Sequence, residues 1–212
     1  MTEIVLFDYW RSSASYRVRI ALESLGLAHR RVPVDLLGGS HRAAEHRARN
    51  PQGLVPALAI DGLMLTQSLS IIEYLTETRP QARFLPEDAA GRQRVRALAQ
   101  AIAMEIHAVC NLGVVDHVVA LAGGGDGTRA AWMKKFIGEG LRAVEAMLDH
   151  PATGTFCHGE TPTMADFCLV PQVYNAGRWE ADIAGLSRVR RIAETCRALP
   201  AFAAAHPDAV KG

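Results

Sequence analysis

A change of hydrophobic period between residues 80 and 88 constrains the fold of this chain more than any other feature. Short apolar runs alternate with helix-like patterns before the change, and only helical spacing follows it. Arg79-Pro80 and Leu85-Pro86 flank it, and proline disfavours the continuation of a helix. A chain of 212 residues is long enough to give each part its own core. We therefore predict an α/β domain over residues 1–80 and an all-helical domain over residues 86–212.

The first part alternates elements in the order β-α-β-α-β-β-α. Residues 4–7 form a short apolar run, and residues 15–25 place apolar side chains on one helical face. A helix capped by Ser68 is expected to end before Pro80. The remaining predicted elements are strands over residues 31–35, 56–60 and 63–65, a turn at Asp61-Gly62, and a short helix within the loop 36–50. This order predicts a mixed sheet with helices on its faces.

The second part shows four segments of helical spacing. Apolar residues step by three or four positions over residues 95–109 and again over 132–148, with three consecutive glycines between the two segments. Thr163 and Asp166 match the T-x-x-D pattern of a capping box, so a third helix is predicted to begin there. The fourth lies over residues 189–196, before Pro200.

Composition and charge limit the classes of function. With 23 basic and 22 acidic residues the net charge is +1, so neither nucleic acid nor a membrane is an expected partner. The N-terminus MTEIVLFDYW lacks the pattern of a signal peptide, and no apolar run reaches the roughly 20 residues of a membrane helix. The four cysteines show no CxxC and no metal-ligand spacing. We expect a cytoplasmic protein with reduced thiols and no metal site.

The turn from the first strand to the first helix carries three serines, Ser12, Ser13 and Ser15. A helix N-terminus presents unpaired N–H groups and a partial positive charge, so it stabilises an anion in front of it. The hydroxyl groups add donors, and the anion bound there would be a thiolate, a carboxylate or a phosphate. A plain capping role for Ser12 or Ser13 explains the same residues equally well. The turn has no glycine-rich phosphate loop, which argues against a nucleotide.

Two other segments have the same double interpretation. Val55-Pro56 opens a strand, where proline often marks a cis bond that presents backbone to a ligand; an edge-strand proline is the alternative. Gln67-Ser68 stands at another helix start, where it either caps the helix or directs donors at a ligand. Neither segment alone decides between a structural role and binding.

Taken together, these segments resemble the zeta class of the glutathione transferases, the maleylacetoacetate isomerase family. That class carries a motif close to SSCSWRVRIAL, and this chain has SSASYRVRIAL at residues 12–22. The other shared segments are NP at 50–51, VP at 55–56, QS at 67–68, IIEYL at 71–75, TMAD at 163–166 and LVPQV at 169–173. The resemblance runs nearly end to end. It implies the glutathione-transferase fold: a thioredoxin-like domain that binds glutathione, an all-helical domain that completes the substrate pocket, and a homodimer.

The resemblance also implies roles for individual residues. Ser12 would donate a hydrogen bond to the glutathione sulfur and favour its thiolate form. Arg11 and Arg178 would hold the acid groups of the substrate, with Ser12 and Arg178 as the catalytic pair. The implied glutathione contacts are Ser12, Ser13, His41, Val55, a cis Pro56, Gln67, Ser68, His107 and Asn111. For His41 a solvated loop position fits equally well. Arg17 and Arg19 are expected in surface or interface salt bridges, and the alternative for Arg17 is that it faces the site.

The implied activity is the glutathione-dependent cis–trans isomerisation of a small dicarboxylic keto acid, maleylacetoacetate, to fumarylacetoacetate. Ala14 departs from the motif, which has cysteine there, but the nucleophile in this reaction is the glutathione sulfur. The alternatives are a maleylpyruvate isomerase, a general glutathione transferase or haloacid dehalogenase, and a non-catalytic glutathione-binding module. Asn111-Leu112-Gly113 favours maleylacetoacetate, because some maleylpyruvate enzymes resemble Asn-Asn-Arg-Arg at this place.

Overall fold

The computed structural model describes residues 3–211, and the chain forms two compact units. The first comprises the residues up to Phe84 together with those from Ala198 onward, and the second runs from Leu85 to Arg197. The change of hydrophobic period therefore coincides with the first boundary. The assignment of all of residues 86–212 to the helical domain differs from the structure, because the end of the chain packs with the N-terminal unit.

The first unit contains a four-stranded mixed sheet, as the order of elements predicted. The strand order is β2-β1-β3-β4, with β2 parallel to β1 and the other two pairs antiparallel. A 3-10 turn at Ser40–Arg42 precedes the second helix. The elements are β1 (Val5–Asp8), α1 (Ser13–Ser24), β2 (Arg30–Pro33), α2 (Ala44–Arg49), β3 (Ala57–Ile60), β4 (Leu63–Thr66) and α3 (Ser68–Thr78).

Helix α1 lies in the interior of this unit rather than on its surface. Every residue from Ser15 to Leu22 is buried, and so are all four residues of β1. Arg17 and Arg19 are therefore buried, so the expectation of surface salt bridges is wrong, while an interface role for either arginine and a site-facing role for Arg17 stay predictions. Arg19 is balanced by the equally buried Asp8, whose Oδ2 accepts a hydrogen bond from Arg19 Nη1 at 2.7 Å.

The second unit is entirely helical. The helix expected over residues 95–109 is only partly regular, because π-helical hydrogen bonding replaces the α pattern over Ala101–Ile106. The N–H of His107 still donates to the carbonyl of Ile102, five residues back, at 2.9 Å. The helices of this unit are α4 (Ala89–Gln100), α5 (Leu112–Leu121), α6 (Asp126–Met147), α7 (Met164–Arg178) and α8 (Ser187–Arg197).

The C-terminal segment forms two short helices, α9 (Pro200–Ala204) and α10 (Pro207–Val210), against α1. The hydroxyl of Tyr16 donates to the carbonyl of Phe202 at 3.3 Å. Each of the two prolines stands at the start of its helix, where the missing N–H has no intrahelical acceptor to lose. Among residues 3–211, no helix has both the length and the apolar character needed to cross a bilayer.

Candidate active site

The register of the sheet brings three of the predicted site segments to one edge. Phe7 of β1 pairs with Ala57 of β3, and Ala57 pairs with Thr66 of β4. Because both pairings are antiparallel, the end of β1, the start of β3 and the end of β4 lie side by side. The segments that continue from these ends are residues 9–12, 55–56 and 67–68. Ser12, Val55, Pro56, Gln67 and Ser68 therefore share one edge of the first unit.

Ser12 is the N-cap of α1, as the capping interpretation predicted. Its Oγ accepts a hydrogen bond from the N–H of Ser15 at 3.2 Å, and its own N–H donates to the carbonyl of Tyr9 at 2.8 Å. A serine hydroxyl that accepts in this way keeps its proton for another acceptor. The cap role and a donor role toward a ligand are therefore compatible. Ser13, the next residue, is buried in the first helical turn.

Two side chains hold the turn that precedes Val55. The carbonyl of Leu54 accepts hydrogen bonds from Nδ2 of Asn50 at 2.9 Å and from Nε2 of His46 at 2.8 Å. Gly53 adopts φ +63°, and a Cβ there would lie 3.1 Å from the carbonyl oxygen of His41. The Val55–Pro56 bond is cis, as expected. Within residues 3–211, no hydrogen bond joins the backbone N–H or C=O of Val55 to another group.

The N-terminus of α3 has no side-chain cap. Gln67 precedes it with φ 67°, a conformation that is uncommon for a residue other than glycine and is often found at functional sites. The side-chain amide of Gln67 donates to Oε1 of Gln52 at 2.7 Å. Ser68, the first helical residue, is buried, and its Oγ accepts a hydrogen bond from Nη1 of Arg17 at 3.2 Å.

His41 lies in the 3-10 turn and is buried, so the solvated-loop interpretation is wrong. Its Nε2 accepts a hydrogen bond from Nε of Arg42 at 3.2 Å. Burial, followed by the charge of Arg42, lowers the pKa of the His41 imidazole below its ordinary value. The ring is therefore neutral at neutral pH, and it can donate only a neutral hydrogen bond to a ligand.

Arg11 precedes Ser12 and is braced by two aromatic rings. Its guanidinium carbon lies 5.0 Å from the ring centroid of Trp10, and Nη2 donates to the hydroxyl of Tyr9 at 3.2 Å. Cation–π contacts of this kind hold an arginine head group without neutralising its charge. Arg11 therefore keeps a positive charge at the start of the serine turn.

Three predicted site residues belong to the second unit. His107 directly follows the π-helical segment. Asn111 is the N-cap of α5, and its Oδ1 accepts a hydrogen bond from the N–H of Gly113 at 3.0 Å. Arg178 is exposed in the last turn of α7, where Nη1 donates to Oδ1 of Asn175 at 3.3 Å. A local capping role accounts for Asn111.

Three of the four cysteines have raised thiol pKa values. Burial raises the pKa of the half-buried Cys110 to about 11. Burial also raises the pKa values of Cys157 and Cys196, which are further raised by the charge of Asp166. Since the thiolate is the reactive form of a cysteine, these raised pKa values argue against a nucleophilic role for the three thiols.

The sequence did not clearly indicate the residues whose hydrogen bonds hold the segments of the site in place. No role was predicted for His46 or Asn50, although Asn50-Pro51 was recognised as a shared segment, and for Arg17 a place facing the site was only the less favoured alternative. Asn50 in front of a Val-Pro strand start is a usable signal, because an asparagine side chain often organises a turn. No local signal identifies Arg17, since its contact with Ser68 spans 51 residues of sequence.

Known proteins share both the sequence and the fold of this chain. Residues 6–83 match the family described as glutathione S-transferase, N-terminal domain. A maleylacetoacetate isomerase of Rhizobium meliloti strain 1021 is 65% identical over 209 residues, which cover 99% of this chain and 98% of that protein. This chain belongs to the maleylacetoacetate isomerase family of glutathione S-transferases.

Solved structures of the family agree with this fold over nearly the whole chain. A maleylpyruvate isomerase described as a zeta-class bacterial glutathione S-transferase has a TM-score of 0.94 at 39% identity and covers 98% of each chain. A maleylacetoacetate isomerase from Methylobacterium extorquens AM1, with bound malonate and glutathione, has a TM-score of 0.93 at 38% identity and covers 97% of each chain. The predicted glutathione-transferase fold is thereby confirmed.

Proposed function

We propose that this protein is a glutathione-dependent isomerase that converts maleylacetoacetate to fumarylacetoacetate. The observation that carries the proposal is the end-to-end identity of 65% to the maleylacetoacetate isomerase of Rhizobium meliloti. The sheet edge described above gives a physical reason, because it gathers the groups that a small thiol peptide needs.

The residues at this edge fit glutathione. Glutathione is an extended tripeptide with a free thiol and a carboxylate at each end. The backbone of Val55 has no hydrogen-bond partner in the described part of the chain, so it is free to pair with the cysteinyl residue. The uncapped N-terminus of α3, with Gln67 and Ser68, suits the γ-glutamyl carboxylate. Ser12 keeps a hydroxyl proton for the sulfur, and Ser13 and His41 lie in the same unit.

Ser12 and the N-terminus of α1 would lower the thiol pKa of bound glutathione. A hydrogen bond to a charged group contributes about 1.5–3 kcal/mol. One pKa unit corresponds to about 1.4 kcal/mol, so the hydroxyl would lower the thiol pKa by about one to two units. When bound, glutathione supplies a sulfur nucleophile that adds to the cis double bond of the substrate and leaves after rotation. Ala14 is compatible with this chemistry, because no protein thiol takes part.

Arg11 and Arg178 would bind the carboxylate groups of the substrate. The aromatic rings beside Arg11 hold its guanidinium without neutralising it, and the side chain of Asn175 orients Arg178. Guanidinium groups match carboxylates geometrically and stabilise the negative charge that develops during the reaction. His107 and Asn111 remain proposed glutathione contacts in the helical unit.

Maleylpyruvate is the second candidate substrate. A maleylpyruvate isomerase of Ralstonia is 40% identical over 96% of this chain, and a solved maleylpyruvate isomerase structure shares the fold at a TM-score of 0.94. The higher identity to the Rhizobium enzyme and the segment Asn111-Leu112-Gly113 support maleylacetoacetate. We also infer a cytoplasmic homodimer; light scattering on the purified protein tests the dimer, and fractionation of cells tests the location.

A glutathione-dependent turnover assay tests the proposed function. Purified protein is mixed with glutathione and either maleylacetoacetate or maleylpyruvate, and isomerisation is followed by ultraviolet absorbance. We expect faster turnover of maleylacetoacetate, about 10-fold to 100-fold slower turnover in Ser12→Ala, and wild-type rates in Ser24→Ala. Ser24 is a matched control, because it lies exposed at the other end of α1.

The outcomes separate the candidate functions. No glutathione-dependent turnover of either acid would refute the isomerase proposal and leave two alternatives, a general glutathione transferase or haloacid dehalogenase and a non-catalytic glutathione-binding module. Faster turnover of maleylpyruvate would replace the substrate but keep the reaction. Unchanged activity in Ser12→Ala would refute the role of Ser12 alone.

A further inference from the structure

Arg17 is a buried cation beneath the N-terminus of α3. Its exposed fraction is 2%, and its Nη1 donates a hydrogen bond to Oγ of Ser68 at 3.2 Å. Ser68 is the first residue of α3 and is itself 6% exposed. The contact joins two helices of the first unit at the point where α3 begins.

The chemistry of the contact determines the direction of the Ser68 hydroxyl. A guanidinium group has donors and no acceptor, so Oγ of Ser68 must accept at this contact. The single hydroxyl proton is therefore directed at some other acceptor. A hydrogen bond received from a cation polarises the hydroxyl and strengthens it as a donor. Because α3 has no side-chain cap, its first N–H groups add to the same preference for an anion.

The neighbouring arginine of α1 provides a contrast. Arg19 is also buried, but its guanidinium bonds the carboxylate of Asp8 and the carbonyls of Trp10 and Ala205. These acceptors belong to β1, to the connection that follows it and to the C-terminal segment. One terminal nitrogen of Arg17 donates to the hydroxyl of Ser68, at the candidate ligand site.

We propose that Arg17 is a positioning residue for the γ-glutamyl carboxylate of glutathione. It fixes the Ser68 hydroxyl as a donor toward that carboxylate and does not touch the ligand itself. This inference rests on the proposed glutathione-dependent function. It predicts that Arg17 affects the binding of glutathione and leaves the reactivity of the sulfur unchanged.

Calorimetric titration of Arg17→Met, Arg17→Lys, Ser68→Ala and the Arg17→Met/Ser68→Ala double variant tests the proposal. The ligands are reduced glutathione and S-methylglutathione, which keeps the γ-glutamyl end but has no ionisable thiol. We expect Arg17→Met to weaken the binding of both ligands about tenfold, and Arg17→Lys by less than about threefold, because an ammonium group still donates to Oγ. The KM for glutathione should rise about tenfold while kcat at saturating glutathione stays unchanged.

The double variant distinguishes positioning from a general effect on folding. If Arg17 acts through Ser68, adding Arg17→Met to Ser68→Ala weakens binding by less than about twofold further. Arg94→Met is the matched control: it removes a partly buried arginine that bonds the carbonyl of Cys157 in the helical unit. This control should lower the unfolding temperature and leave glutathione affinity unchanged.

Each outcome either supports or overturns the proposal. An equal loss of affinity with and without the Ser68 hydroxyl would overturn it, and so would unchanged affinity or a fall in kcat alone. If Arg17→Met does not fold, Arg17→Lys with and without Ser68→Ala replaces it in the same comparison. Wild-type protein that fails to bind glutathione refutes the proposed function, whereas normal binding that is insensitive to Arg17→Met refutes this inference only.

Discussion

The carboxylate of Asp166 organises the start of α7, and its removal should destabilise the helical unit strongly. Asp166 is fully buried. Its Oδ1 accepts a hydrogen bond from the N–H of Cys157 at 2.8 Å, and its Oδ2 accepts from the N–H of Thr163 at 2.8 Å and from the Thr163 hydroxyl at 3.0 Å. One side chain thereby caps the helix and fastens the preceding loop to it.

The hydrogen bonds give the magnitude of the effect. Asp166→Ala leaves two buried N–H groups unpaired, and each unpaired group costs about 1–3 kcal/mol. We therefore expect the free energy of unfolding to fall by about 2–6 kcal/mol, a large part of the roughly 5–15 kcal/mol typical of a domain. Asp166→Asn keeps one acceptor oxygen and should lose about half as much.

Urea unfolding followed by far-ultraviolet circular dichroism measures this loss. Asp126→Ala is the matched control, because Asp126 also stands in the first turn of a helix but is exposed and makes no cap hydrogen bond there. We expect the control to change the free energy of unfolding by less than about 1 kcal/mol. A loss below about 1 kcal/mol in Asp166→Ala, with the slope of the urea dependence unchanged, would refute the reasoning from buried N–H groups.

Three further predictions concern a glycine turn and two ion-paired side chains that stabilise the two units. Gly53→Ala should lower the unfolding temperature by several degrees and weaken glutathione binding, because Gly53 has φ +63° and its Cβ would approach the carbonyl oxygen of His41. Gly26→Ala is the control, since Gly26 has φ +61° but no atom within 4 Å of a Cβ, and it should show only the backbone cost of about 1 kcal/mol. An equal fall in unfolding temperature in the two variants would contradict a role for the contact between residue 53 and the His41 carbonyl. Arg19→Met should lower the free energy of unfolding in urea by about 3–5 kcal/mol, because it leaves the buried carboxylate of Asp8 unpaired. Arg30→Met breaks an exposed ion pair and should lower it by less than about 1 kcal/mol. Similar losses in the two variants would contradict this contrast. Burial alone would raise the pKa of Glu145, but the helix N–H groups and the guanidinium that it binds lower it below its ordinary value. The contribution of the Glu145 carboxylate to stability is therefore complete above that ordinary value and is lost as the pH falls through the lower folded-state pKa. Glu145→Gln should flatten the pH dependence of thermal unfolding below the ordinary pKa of a glutamate; an unchanged dependence would contradict the assignment.

The first unit was predictable because its local signals agree with its tertiary structure. The apolar run at residues 4–7 became the buried β1, and Asp61-Gly62 joins β3 to β4 as predicted. Short strands between turn residues leave few alternative pairings. For the same reason, the order of elements was sufficient to predict the mixed sheet.

The helical unit shows where periodicity stops being informative. A spacing of three to four residues fits an α-helix and a π-helical segment alike, so the change at Ala101–Ile106 was not predicted. Helix α5 was also missed, because its apolar residues are mostly exposed or half-buried and form no clear inward stripe. Pro200 was interpreted as an end signal, although it also starts a helix.

The local geometry of the candidate site was predictable at three places: the N-cap at Ser12, the cis Val55–Pro56 bond and the helix start at Gln67-Ser68. The binding roles of these residues stay predictions. The buried contact between Arg17 and Ser68 was not predictable, because the two residues are distant in sequence. Arg17 looks like a surface residue in any local window, and only the packing of α3 and the C-terminal segment around α1 buries it. Burial of an arginine is a tertiary property that propensity and patterning do not report.

Measuring the thiol pKa of bound glutathione tests most directly whether Ser12 favours the thiolate form of the ligand. Ultraviolet absorbance of the thiolate, followed as a function of pH in the complex, gives this value for wild-type protein and for Ser12→Ala. We predict a pKa about one to two units below that of free glutathione in the wild type and a return toward the free value in Ser12→Ala. A bound thiol that titrates in the wild-type protein at the pKa of free glutathione would contradict the account.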